Sequence, residues 1–271
     1  MSRGKLRVIK NRIQSTASLM KITRAMEMVA RARVRKLESG FAKVKKFFAE
    51  VENMKEKIDL SNNESVFATG EGNPVLIVIS SDMGLCGAFN SEILREAERA
   101  MDSLKNIDGV IPVGAKACAR FQENAKIITS YQRVYETPTF DFAASLVEEI
   151  EKISGNIHIV YGKFVNRLAQ RPEIVRITPV NNEGNVSRYE YEPENVSEAF
   201  LKFYVASKIF SLLYETKVSE MYARQNAMRN ATENAKDMIQ TLTLEYNKAR
   251  QASITQELIE IVSGSDALKE E

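Results

Sequence analysis

The chain has 271 residues, 44% of them hydrophobic, with 38 Lys and Arg against 36 Asp and Glu, and only two cysteines. It contains no apolar run of about eighteen residues, so no transmembrane helix is predicted, and its basic N-terminus lacks the apolar core and cleavage site of a secretory signal. Cys86 and Cys118 fall in no CxxC or Cys/His pattern, which points to a reducing compartment and to neither a disulfide framework nor a metal site.

The first element in chain order is a long helix. Between Met1 and Asn73 there is no proline, and Gly4 and Gly40 are the only glycines before Gly70. Both residue types break helices, so residues 1–58 read as one helix. Its apolar residues form a stripe at Leu19, Ile22, Met26 and Val29 that resumes past Arg33 at Leu37, Phe41, Val44, Phe48, Val51, Met54 and Ile58. Steps of three and four are the period of a coiled coil, so this stripe is expected to meet a partner helix.

The same helix is strongly basic. Residues 1–57 carry sixteen Lys and Arg against five Asp and Glu, residues 58–193 thirteen against nineteen, and residues 194–271 nine against twelve. The net charge of +2 thus hides a helix of +11, densest at Arg31, Arg33, Arg35 and Lys36. Such a row is a solvated face, a docking site for an acidic protein, or a nucleic-acid surface. No aromatic residue stands between Met1 and Gly40 to stack on bases, which weighs against the third.

A polar, glycine-containing linker, "DLSNNESVFATGEGN" (59–73), leads into a mixed segment. "PVLIVISS" (74–81) is a buried strand by its continuous apolar run. A tight loop, "DMGLCGAFN", and an amphipathic helix (91–104) follow. "GVIPVG" is a second strand, residues 115–123 a helix, "KIITSYQ" a third strand, and "DFAASLVEEIEKI" a helix. "NIHIVYGKFV" (156–165) and "EIVRITPV" (173–180) are strands, and "VSRYEYEP" an edge strand. Strands alternating with helices indicate a mostly parallel α/β sheet with a possible antiparallel later part.

The last element is a second long helix. Asn195 to Ser263 contains no proline and no glycine, whereas all six prolines lie between the two helical ends. A seam of apolar and small residues runs Met228, Thr232, Ala235, Ile239, Leu242, Tyr246, Ala249, Ser253. A helix of ~65 residues spans about 100 Å, longer than the core of a compact domain, so it is expected to project and to pair with the first helix. The division is then residues 1–58 and 195–271 as one antiparallel rod, and 59–194 as a Rossmann-like α/β domain.

No catalytic constellation can be assembled. The loop Asp82–Asn90 follows the first strand, where α/β sheets bind ligands, but "SDMGLCGAFN" is neither a dinucleotide nor a P-loop signature, and Asp82 would repel a phosphate. Cys86 has no base nearby in sequence, and His158, the only histidine, sits in an apolar strand as a core residue would. An α/β enzyme with a helical arm remains an alternative class, to be supported by a catalytic constellation in the mixed segment.

Four stretches carry a resemblance. "KITRAMEMVA" (21–30), "SDMGLCGAFN", "ARQNAMRNATENA" and "YNKARQASITQELIEIVSG" (246–264) closely resemble the gamma subunit of F-type ATP synthases, and the likeness covers the whole chain. Gln225 stands where that family often has methionine, and Ser265 where alanine is usual. No inserted cysteine pair of the redox-regulated chloroplast type is present. The resemblance implies a non-catalytic rotor shaft without cofactors. Its coiled coil would turn inside three alpha and three beta subunits. Its α/β domain would sit against an epsilon subunit and a membrane ring of c subunits, on the cytoplasmic face of a bacterial plasma membrane without inserting into it. It also implies partner contacts. Met26 matches a position facing an acidic beta-subunit loop, and Arg31, Arg33, Arg35 and Lys36 would complement acidic loops. Arg224, Gln251, Thr255 and Glu257 match contact positions on the shaft. Simple seam packing of Met26, and a solvated helix end at Gln251 and Thr255, are the plainer readings.

Overall fold

The structure, a computed structural model, describes residues 2–58, 60, 63–104, 106–134, 136–180 and 196–267. The stretch "VSRYEYEP", expected as an edge strand, lies outside the described residues. The chain divides into two compact units, residues 30–226 and residues 1–29 with 227–271.

Ten elements follow one another: α1 (Ser2–Lys55), α2 (Val66–Thr69), β1 (Val75–Ile79), α3 (Phe89–Ser103), β2 (Gly109–Val113), α4 (Ala115–Phe121), α5 (Phe140–Glu151), β3 (Ile157–Phe164), β4 (Gln170–Arg176) and α6 (Val196–Ala267). In the larger unit the sheet runs β2-β1-β3-β4. β1 pairs in parallel with β2 (Ile77 opposite Ile111) and with β3 (Ile77 opposite Ile159). β4 runs antiparallel to β3, with Ile159 opposite Val175. All five residues of β1 are buried, as a central parallel strand covered on both faces requires. Val75, Ile77 and Ile79 meet α5 together with Phe48 and Val51 of α1 and Leu201, Val205 and Ile209 of α6. Leu76 and Val78 point the other way, toward Phe89, Ile93 and Ala97 of α3 and Phe121 of α4.

The expected third strand, "KIITSYQ", forms only two isolated bridges, Ile127 to Val110 and Tyr131 to Val113. Its alternation is broken by polar Thr129, Ser130 and Gln132, so it cannot bury a continuous face beside β2.

In both units α1 and α6 run antiparallel. In the larger unit Phe41 stacks on Tyr214, and the rings of Phe48 and Tyr204 meet at a tilt of 44°. In the smaller unit the hydroxyls of Thr23 and Thr232 lie 2.8 Å apart, and Thr16 reaches Met238. The seam expected on α6 is the covered one, with Met228, Ala235, Leu242 and Ser253 buried.

On α1 the expected seam is half right. Phe41, Val44, Phe48 and Val51 are buried, but Leu19 (54% exposed), Ile22 (53%), Met26 (37%) and Val29 (56%) face outward, while Thr23 is 7% exposed. The covered positions step back from Phe41 without a break as Leu37, Val34, Ala30, Glu27, Thr23, Met20 and Thr16. The apolar stripe therefore lies one residue, about 100° of helix, away from the true seam. The physical reason is the partner. At Thr232 and Ala235 the α6 side is small, and there the Thr23 hydroxyl bonds the Thr232 hydroxyl, which places Thr23 and not Ile22 in the seam.

Gly40 lets the helices approach, because a Cβ there would overlap the Tyr214 hydroxyl. Gly40→Ala should gain about 1 kcal/mol of helix propensity but lose about 1–3 kcal/mol to overpacking. The overlap should win, since Tyr214 is held between Phe41 and Phe210. Thermal denaturation should show a lowered midpoint that Tyr214→Phe partly restores.

Candidate partner-binding surface

The outward stripe of α1 is the most distinctive surface of the smaller unit. Leu19, Ile22, Met26 and Val29 give four large apolar side chains in a row on one helix face. On α6, Ile254, Leu258, Ile259, Ile261 and Val262 are likewise exposed. Thr255 donates to the Gln251 carbonyl at 3.0 Å, as a hydroxyl inside a helix does, which leaves the Gln251 side chain exposed beside it. Glu257 is exposed one turn before Glu260, and the Glu260 carboxylate accepts from Gln256 at 2.9 Å.

By the same three-and-four spacing in the sequence, the positions after Val29 are Arg33 and Lys36. Both belong to the larger unit, together with exposed Arg31 and Arg35. Arg33 and Lys36 border a groove of about 400 Å³ whose lining also includes Leu37, Glu136, Tyr214 and Met221. Arg33 Nη1 lies 3.0 Å from Glu136 Oε1. Sequence reading missed Glu136, and no local pattern marks a single acid in a polar turn as the neighbour of a helix a hundred residues away.

Arg224, a contact candidate from the sequence, turns inward. Its side chain is 11% exposed, its Nη1 is 2.5 Å from Glu220 Oε1, and its Nη2 donates to the carbonyls of Met83 and Gly84 at 3.1 and 3.2 Å. Glu220, 1% exposed, also pairs with Lys217 at 3.1 Å. This buried group fastens α6 to the turn after β1. The i, i+4 spacing of Glu220 and Arg224 was visible in the sequence, but it does not tell a buried pair from a solvated one.

The loop after β1 is closed from within. Asp82 Oδ1 accepts from the backbone N–H of Ala115 at 2.9 Å and of Arg133 at 3.0 Å. The carboxylate thus takes the amides that a phosphate would need. Ser81 and Asn90 bond each other, and Asn90 Nδ2 donates to Cys86 Sγ at 3.1 Å. Burial pushes the thiols of Cys86 and Cys118 upward, so neither is held as a thiolate. Burial, and then the Arg176 charge, lower the pKa of His158, whose ring meets Asn156 at 3.2 Å. Among the described residues no three His, Cys, Asp or Glu side chains gather as a metal cage, and no helix is long and apolar enough to cross a membrane.

Comparison with known proteins gives one answer. The sequence model of the family described as ATP synthase matches residues 5–268. The ATP synthase gamma chain of Mycoplasmopsis pulmonis is 36% identical over 96% of this chain and 98% of its own length. That of Desulforamulus reducens is 34% identical over 97% and 99%. Among solved structures, a chain of the Tetrahymena thermophila mitochondrial ATP synthase central stalk and c-ring is similar at 26% identity. It covers 78% of this chain and 99% of its own, with a TM-score of 0.61. A chain of the Euglena gracilis mitochondrial ATP synthase (OSCP, F1 and c-ring) shares the fold, with a TM-score of 0.73 at 21% identity over 98% and 95%.

Proposed function

This chain belongs to the family of ATP synthase gamma chains, and on that premise we propose that it is the non-catalytic shaft which transmits rotation between a membrane ring of c subunits and a head of three alpha and three beta subunits. The observation that carries the reading is the outward stripe Leu19, Ile22, Met26 and Val29. Four large apolar side chains in a row on an exposed helix face leave apolar area for another protein to cover. The basic turns that follow at Arg31, Arg33, Arg35 and Lys36 suit acidic partner loops. One face of the shaft therefore differs from the others, and a beta subunit meets different chemistry as the shaft turns. Only such differential contact can shift a site between states.

In this reading the helical ends, residues 1–58 and 195–271, form the shaft, and residues 59–194 rest against the epsilon subunit and the c ring. Met26, Gln251, Thr255 and Glu257 touch the head directly. Arg224 acts on it through the Met83–Gly84 turn that it holds. The complex lies at the cytoplasmic face of a bacterial plasma membrane, this chain is peripheral to it, and the driving ion is a proton or sodium. The chain carries no cofactor.

The test is charge reversal at exposed Arg31 and Arg35. The double variant Arg31→Glu/Arg35→Glu should keep its fold but associate with the alpha/beta head about tenfold more slowly at low salt, because charges at a rim steer encounter. The difference should shrink as salt screens it. Parental association rates at low salt would make the basic face a solvated surface only.

A further inference from the structure

We propose that Glu136 is a built-in competitor for Arg33: its carboxylate occupies the basic groove of the larger unit, and an acidic segment of a partner must displace it in order to dock there. The inference rests on the shaft reading above and adds a regulatory contact to the same surface.

The groove has a defined chemistry. Leu37, Tyr214, Met221 and Lys217, the last already paired with Glu220, line it together with Arg33 and Lys36 of α1 and Glu136 and Thr137 of the turn before α5. Its volume of about 400 Å³ suits a short peptide segment rather than a whole element. The ion pair across it, Arg33 Nη1 to Glu136 Oε1 at 3.0 Å, shows which group the groove accepts. Lys36, on the same border, has no ion-pair partner among the described residues, so a second carboxylate can be met there. An acidic peptide segment with two neighbouring carboxylates and a small apolar side chain is the occupant that fits.

The pair is also weak enough to exchange. Its side chains are 47% and 65% exposed, and solvated pairs of this kind add little to stability. A partner that supplies two carboxylates, positioned by its own fold, outcompetes one. Glu136 therefore lowers the affinity for acidic segments without closing the groove, and it sets how readily the basic face engages.

The test is a double-mutant cycle on the full chain, read as the dissociation constant for the purified alpha/beta head. Glu136→Gln should tighten binding about two- to fivefold, the range an exposed pair commands. Arg33→Gln should weaken it. In the Arg33→Gln background, Glu136→Gln should change nothing further. Competition is overturned if Glu136→Gln leaves the parental affinity unchanged. It is overturned equally if Glu136→Gln tightens binding by the same factor in both backgrounds, since the glutamate would then act only through its long-range field. If Arg33→Gln is neutral, the groove is not a docking site and the proposal falls. The shaft reading is then decided separately, by whether a tether at Met26 stops turnover.

Discussion

Glu220→Gln is expected to destabilise the larger unit by about 3–5 kcal/mol, the cost of breaking a buried ion pair from one side. Glu220 is 1% exposed and holds both Arg224, at 2.5 Å, and Lys217, at 3.1 Å. Glutamine keeps the shape, but it removes the counter-charge from two nearly buried cations and turns one of the two acceptor oxygens into a donor that faces one of them. Arg224 retains the Met83 and Gly84 carbonyls, which are dipoles and neutralise nothing. Chemical denaturation of the full chain should show the loss. Adding Arg224→Leu to Glu220→Gln should cost less than the two separate losses together, because one of the two cations that Glu220 neutralises is then gone. Hydrogen exchange should locate the first opening at the turn after β1. A loss below about 1 kcal/mol would mean that the group is solvated like an ordinary surface pair.

The sequence disclosed the punctuation of this fold better than its faces. Prolines and glycines confined to the middle gave the two long helices, and the β-branched run of β1 gave the strand at the centre of the sheet. The small seam of α6 was read correctly because its period is unbroken from Met228 to Ser253. On α1 the residues Leu19, Ile22, Met26 and Val29 were taken as the seam because they are large and apolar. Burial follows the partner as well as hydrophobicity, and on α6 it is the Thr232 hydroxyl that meets Thr23. Carrying the spacing back from Phe41 and Leu37 would have found the true seam. The outward apolar face, the best pointer to a partner, was thus in plain view and assigned to the wrong side.

The polar interior was legible only in part. Asp82 was read only for its charge, because its bonds to the Ala115 and Arg133 amides join segments far apart in sequence. The same distance hid Glu136 from Arg33. Arg224 was marked as a contact by family likeness, and likeness alone does not tell a side chain that meets a partner from one that shapes the loop doing so. "KIITSYQ" had the β-branched pair of a strand but not enough apolar residues to pair along its length.

The central claim is that this chain works by turning, and a reversible tether tests it most directly. Cys86 and Cys118 are both buried, and Cys86→Ala/Cys118→Ala removes them as stray partners. Met26→Cys then places one thiol on the outward stripe, and a second is placed in the facing loop of a beta subunit. In the assembled complex, oxidation should abolish multisite ATP hydrolysis in proportion to the crosslinked fraction, and reduction should restore it. The isolated chain should release no phosphate from ATP in either state. If the fully crosslinked complex hydrolyses ATP as fast as the reduced one, the chain is a static scaffold at Met26 and the shaft account is wrong.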